Sequence, residues 1–224
     1  MLIVFEGLDA SGKSTQINLF KNFFDTKNIK HCIIHFPRIN SVFTNKANNS
    51  FFSYLIYKYL NGEFGDIQDI APKEIALLYA VDRFLFLHDL KREIKNNDYV
   101  LLDRYVYSNI AYQCAKIDNQ KEKKELKNWI LKLEFQTFKL PKPNIVIYLD
   151  MPIKFIKEKI TVERKKNKDK DIHEDNLTYL LKVQKEYKKL CKEKLMISIK
   201  CYNKKEILPK EIIFEKIKKI LKIK

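Results

Sequence analysis

The segment "FEGLDASGKSTQ", Phe5 to Gln16, constrains the fold of this 224-residue chain more than any other. Leu2, Ile3 and Val4 lead into it, and "INLF" follows. Gly7, Gly12, Lys13 and Ser14 give the spacing G-x-x-x-x-G-K-S. Between an apolar strand and a helix, such a loop turns successive backbone N–H groups inward around an anion. Gly7 and Gly12 permit torsions and a close backbone approach that side chains would block. The helix, read over Lys13–Thr26, starts at the anion, so its N-terminal partial charge adds to binding. Lys13 has the reach for β- and γ-phosphates, and the Ser14 hydroxyl suits Mg²⁺. The segment therefore reads as a nucleoside triphosphate site. Switch, motor and kinase all remain open.

A loop of this kind needs a parallel sheet around it, and the chain supplies the strands. Apolar runs fall at Leu2–Phe5, His31–Phe36, Tyr99–Asp103, Asn144–Asp150 and Leu195–Cys201, separated by helical patterns. Short uninterrupted runs alternating with helices predict a parallel sheet of about five strands covered on both faces. A helix-rich stretch spans Phe51 to Lys95. "KIDNQKEKKELKNWILKLE" reads as a solvated helix with Trp129, Leu131 and Leu133 partly inward. "KEIIFEKIKKIL" closes the chain as an amphipathic helix. "ERKKNKDKDIHED", Glu163–Asp175, lacks apolar periodicity and reads as a mobile charged loop between two helices. No linker or repeat divides the chain, and its length suits a single domain over 1–224.

The net charge of +16 comes from lysines scattered along the chain rather than stacked in one segment. That pattern favours general lysine usage, with local attraction of anionic nucleotides, over a nucleic-acid surface. No apolar run approaches the ~20 residues of a membrane span, and no cationic stretch precedes the first apolar residues. The expected location is cytoplasmic, with Cys32, Cys114, Cys191 and Cys201, which lack C-x-x-C spacing, as reduced thiols.

The remaining motifs point to an acceptor. "VLLDRYVYSNIAYQ" ends the third strand, and ligands of open α/β sheets bind beyond the carboxyl ends of strands. Asp103 and Arg104 are thus expected beside the phosphate loop. Phosphoryl transfer depends on positioning and on cations against the equatorial oxygens, which suits Arg104. Asp103 is expected to hold Mg²⁺ or to orient Arg104. "FPRINS" follows the second strand, with Pro37 stiffening the turn after Phe36 and Arg38 offering a fork of donors. "LLYAVDRF" places Tyr79 and Arg83 on one helix face, as a stacking ring and a donor to a base carbonyl.

These segments together, "FEGLDASGKSTQ", "FPR", "YLNGEFGD", "LLYAVDR", "LLDRYVYSNIAYQ" and "DIHE", resemble the thymidylate kinase (dTMP kinase) family over almost the whole chain. The resemblance implies a three-layer P-loop NTPase fold with a mobile lid, at about 163–175. It implies transfer of the ATP γ-phosphoryl to dTMP, giving dTDP for dTTP synthesis, with Mg²⁺ on Ser14 and Asp103. Gly7, Leu8, Asp9, Ala10, Ser11, Gly12, Lys13, Ser14 and Thr15 would hold the ATP phosphates. Asp9 would also approach the deoxyribose 3′-hydroxyl. Arg38 and Arg104 would bind the monophosphate, beside Phe36, Pro37 and Ser108. Tyr79 takes the place of the ring, usually phenylalanine, that stacks on thymine, and Arg83 would reach its O4. Asn109, Tyr112 and Gln113 would line the nucleoside pocket, with Tyr112 crowding the 2′ position and Gln113 bonding the base edge. Lys13, Arg104 and Asp103 would be catalytic. Some members carry an arginine at the position of Ala10. Here Arg164, the lid's one arginine, takes that role, with Lys165, Lys166 and Lys168 beside it. Ile39 stands where relatives often have a tyrosine. A homodimer is also implied, and "FFSYLIYKYL" and "EIALLYAVDRFLFL" carry apolar surface enough for one.

Two rivals follow from the residues. One is another P-loop kinase of deoxynucleosides or nucleoside monophosphates. The other is an NTP-dependent nucleic-acid-binding protein, or a switch that turns over slowly without an acceptor.

Overall fold

A computed structural model describes residues 1–39, 51–66, 70–164, 177–204 and 206–223. The five strands are β1 (Leu2–Glu6), β2 (His31–His35), β3 (Tyr99–Asp103), β4 (Ile145–Asp150) and β5 (Ile197–Lys200). They form one sheet in the order β2-β3-β1-β4-β5, with every pairing parallel. The described helices are α1 (Lys13–Thr26), α2 (Phe51–Leu60), α3 (Pro72–Leu85), α4 (Leu87–Asn96), α5 (Val106–Cys114) and α6 (Gln120–Leu131). They continue with α7 (Ile153–Arg164), α8 (Leu177–Lys192) and α9 (Lys210–Leu221). A π-helical turn over Lys132–Thr137 prolongs α6.

The apolar runs form strands because helices cover both faces of the sheet. Leu2, Ile3, Val4 and Phe5 are all buried, as are Val100, Leu101 and Leu102 on the neighbouring strand. Glu6, the last residue of β1, is also fully buried. Its carboxylate accepts the backbone N–H groups of Tyr105 (2.9 Å) and Ser108 (3.2 Å), at the N-terminus of α5. Negative charge there is favoured by the helix dipole. The Ser108 hydroxyl and the Tyr187 hydroxyl, 3.2 Å away, also donate to it.

β1, β3 and α1 match the sequence reading residue for residue or within one residue. The last strand is shorter than read. β5 is an edge strand paired only with β4, from Ile147–Ile197 to Asp150–Lys200, so Leu195 and Cys201 fall outside it. The long solvated helix is two elements, and its inward residues are Leu126, Ile130 and Glu134, with Trp129, Leu131 and Leu133 half-buried. The four cysteines are free thiols. Among the described residues no helix is long and apolar enough to cross a membrane.

Candidate active site

Two adjoining cavities open at the carboxyl ends of β1, β2 and β3. The larger, about 580 Å³, is lined by Asp9, Ala10, Gly12, Lys13, Ser14 and Thr15 of the loop, with His35, Asp103, Arg104, Phe155, Glu158 and Ile207 around them. The loop's geometry depends on its glycines. Gly7 has φ +150°, and a Cβ there would stand 2.6 Å from Ser11 Oγ and 3.2 Å from Leu149 O. Gly12 has φ +97°, a left-handed torsion that L side chains rarely adopt, and it forms the N-terminal cap of α1. Gly7, Leu8 and Ser11 turn inward and do not line the cavity. Lys13 is 6% exposed, and its Nζ donates to Gly7 O (3.2 Å) and Leu8 O (3.0 Å). Burial and the Arg104 charge push its pKa down, against the pull of Asp9, Asp103 and Glu6.

Asp103 faces the loop at the end of β3. Its Oδ2 lies 3.5 Å from Ser14 Oγ and 3.4 Å from His35 Nδ1, and its buried Oδ1 has no hydrogen-bond partner among the described residues. Burial raises the Asp103 pKa, but His35, Lys13 and Arg104 outweigh it and leave it below the ordinary carboxylate value. An unpartnered anionic oxygen beside a hydroxyl is a hard-oxygen donor set of the kind Mg²⁺ takes. Those two residues fit the ion.

The smaller cavity, about 180 Å³, shares Asp9, Phe36 and Arg104 with the larger one. Pro37, Tyr79, Arg83, Ser108, Asn109, Tyr112 and Gln113 line it too. Ten residues assigned to the acceptor from sequence thus meet around one space. Arg104 joins the two cavities. It has φ +65°, and its backbone N–H donates to Phe5 O (2.9 Å). Nη2 donates to Asp9 Oδ1 (2.6 Å) and Tyr112 OH (3.3 Å), and Nη1 to Ser108 Oγ (3.2 Å).

Arg38 departs from the expectation. It does not line either cavity. Its guanidinium lies over the Phe86 ring, 4.2 Å from the centroid, a cation–π contact, and its backbone N–H donates to Asp82 Oδ2 (3.2 Å). The Arg164 side chain and the rest of the lid, 165–175, with Lys165, Lys166 and Lys168, lie outside the described residues.

Sequence reasoning missed four residues of the site. Glu6 supports Arg104's neighbour Ser108, and Tyr187 on α8 places its hydroxyl 2.9 Å from Ser108 Oγ and 3.5 Å from Arg104 Nη1. His35 faces Asp103. Glu134 holds Arg83. The available signal was a carboxylate inside apolar sequence, in "LIVFE" and "LEF". Ile207, after the last strand, reaches the larger cavity.

The parallel sheet, the phosphate loop and a second cavity at its mouth define a P-loop phosphotransferase. The thymidylate kinase family model matches residues 5–212. A probable thymidylate kinase 1 of Saccharolobus solfataricus is 35% identical over 193 residues, covering 86% of this chain and 84% of that protein. A thymidylate kinase of Plasmodium falciparum is 27% identical over 222 residues, covering 99% of this chain and 90% of the relative. The solved structure of Candida albicans thymidylate kinase shares the fold, with a TM-score of 0.70, 22% identity, and coverage of 99% of this chain and 90% of that one. The chain belongs to the thymidylate kinase family.

Proposed function

We propose that this protein transfers the γ-phosphoryl group of ATP to dTMP, with ATP phosphates in the loop cavity and dTMP in the smaller one. Arg104 carries this reading, because it lines both cavities. A cation at that junction can serve the charge shared between donor and acceptor phosphates as the bond changes. The nucleophile is a phosphate oxygen of the acceptor, largely ionised near neutral pH, so no strong general base is required. Asp9 holds the Arg104 guanidinium toward the junction. Tyr112, fixed by Asp9 and Arg104, sets the width of the sugar site. Ser14 and Asp103 would hold Mg²⁺, which neutralises phosphate charge when bound. Arg164 is the proposed lid cation. Arg38 keeps a role at the acceptor phosphate only if its side chain leaves Phe86 when substrate binds.

The same reading includes a cytoplasmic location and a homodimer. Phe51, Tyr54, Leu77, Phe84 and Leu85 of α2 and α3 are exposed and support the second point. Light scattering behind size exclusion should give twice 26.8 kDa.

The test of the activity is ADP release with Mg-ATP against a panel of nucleoside monophosphates and nucleosides. Fast turnover with dTMP, slower with dUMP, and none with the ribose counterpart or with thymidine is expected. ADP release indifferent to every acceptor would remove the kinase reading and leave a switch or a nucleic-acid-binding protein.

A further inference from the structure

Glu134 is fully buried, in the π-helical turn after α6, and the phosphate and sugar chemistry above does not use it. Its two oxygens receive Arg83 Nε at 2.5 Å and Nη2 at 2.6 Å, a bidentate pair with Arg83 itself 2% exposed. Side-on pairing through Nε and Nη2 fixes the plane of the guanidinium. It leaves Nη1 with no hydrogen bond to any described residue, on an arginine that forms part of the smaller cavity's wall.

Glu134 also fixes a second group. Asn109 Nδ2 donates to Glu134 Oε1 (3.1 Å) and to Ala76 O (2.9 Å). Turning that amide over would set its oxygen against a carboxylate and a carbonyl, so the orientation is forced. Asn109 Oδ1 is consequently a buried acceptor without a partner among the described residues, on another residue of the same wall. One carboxylate thereby leaves a free donor on Arg83 and a free acceptor on Asn109.

We infer that Glu134 is a positioning residue that sets the polarity of base recognition, selecting a base edge that offers a carbonyl oxygen and a ring N–H over one that offers an amino group and a bare ring nitrogen. Thymine and uracil present the first edge, and cytosine presents the second. A buried donor or acceptor left unmatched is costly, so the wrong edge is rejected by the wall's own unmet groups. The inference rests on the acceptor reading above, that the smaller cavity takes a pyrimidine nucleotide.

Glu134→Gln tests it. The glutamine amide keeps one acceptor oxygen but sets an N–H₂ against Arg83 Nε in one orientation, or against Arg83 Nη2 and Asn109 Nδ2 in the other. Donor then faces donor, so the guanidinium plane of Arg83, or both it and the Asn109 amide, is no longer fixed. The ratio of kcat/KM for dTMP to that for dCMP should fall about 30-fold or more, while the KM for ATP stays within about twofold. Glu134→Asp keeps both oxygens and the charge, and should retain most of the ratio even if it melts lower. A Glu134→Gln protein that is less stable but keeps the wild-type ratio would make Glu134 purely structural and overturn the inference. So would loss of the ratio in Glu134→Asp equal to that in Glu134→Gln, since charge and acceptors would then not be what matters. If Glu134→Gln does not fold, Glu134→Asp alone decides, by keeping or losing the ratio. Wild-type protein that prefers another acceptor or none would instead defeat the acceptor reading itself.

Discussion

The two cavities differ in how they are built. The phosphate cavity takes six of its lining residues from one short segment, Asp9 to Thr15, at the N-terminus of α1, where Lys13 folds back on the carbonyls of Gly7 and Leu8. The acceptor cavity is assembled from α2, α3, α5, the turns after β2 and β3, and Asp9 of the loop. Its polar side chains are held by pairs far apart in sequence. Glu134 holds Arg83 across 51 residues, Glu6 holds Ser108 across 102, and Asp9 holds Arg104 across 95. A site made of backbone tolerates change in its surroundings. A site made of paired side chains depends on both members of each pair, because removing one leaves the other buried and unmatched. Substitutions should therefore separate into donor-side and acceptor-side defects, except at Asp9, Phe36 and Arg104, which line both cavities.

Arg104 is the one shared residue that brings a cation, and its loss should be the largest effect. Arg104→Ala should lower kcat by about 10³-fold with the KM for ATP nearly unchanged, since the guanidinium acts on charge that moves between the phosphates. Equal loss in kcat and in ATP affinity, read from steady-state kinetics and nucleotide titration, would make Arg104 a plain binding group. Lys13→Ala comes next. It should reduce kcat/KM for ATP by about 10²-fold while dTMP binding, measured by calorimetry, stays within about twofold. Tyr112→Phe removes a hydroxyl that accepts from Arg104 and donates to Asp9 at 3.4 Å. It should raise the KM for dTMP about tenfold and leave that for ATP alone. A Tyr112→Phe protein that loses ATP affinity as much as dTMP affinity would show that the cavities are not separable.

The same contrast explains what could be read from the sequence. β1, α1 and β3 were legible because each is a local pattern: an apolar run, a glycine turn, a run ending in Asp-Arg. The acceptor residues were legible as a set only through family resemblance. Spacing alone put Tyr79 and Arg83 on one face of α3 and could not say whether Arg83 served a ligand or an ion pair. In the structure it pairs with Glu134 and also lines the cavity. Glu134 stood out only as a carboxylate inside "LEF", and nothing in "KLEFQT" marks the π-helical turn that carries it inward. The contact of Arg38 with Phe86 could not be read, because Phe86 ends α3 and shares no local motif with "FPR". His35 was read only as part of an apolar run, since its pairing with Asp103 comes from the register of β2 on β3.

The smallest expected effect concerns stability rather than either cavity. Lys116, just past α5, donates from Nζ to Tyr59 OH at 2.8 Å, with the ammonium 5.0 Å from that ring's centroid. Tyr59 precedes Leu60, which lines the cavity. Unlike Arg83, Lys116 forms no ion pair among the described residues, so burial lowers its pKa to about 8. The unfolded chain then holds its proton up to about pH 10.4, while the folded one releases it near 8. Between those values the unfolded state binds more protons, and the contribution of Lys116 to stability rises with pH. Lys116→Met should abolish that rise and stabilise the protein at pH 7. The difference in unfolding free energy between wild type and variant should shrink by on the order of 2–3 kcal/mol from pH 7 to 10.5. Urea unfolding of both proteins at intervals across that range gives the answer. A constant difference would mean that Lys116 keeps an ordinary ammonium and that water or the Tyr59 ring compensates its burial.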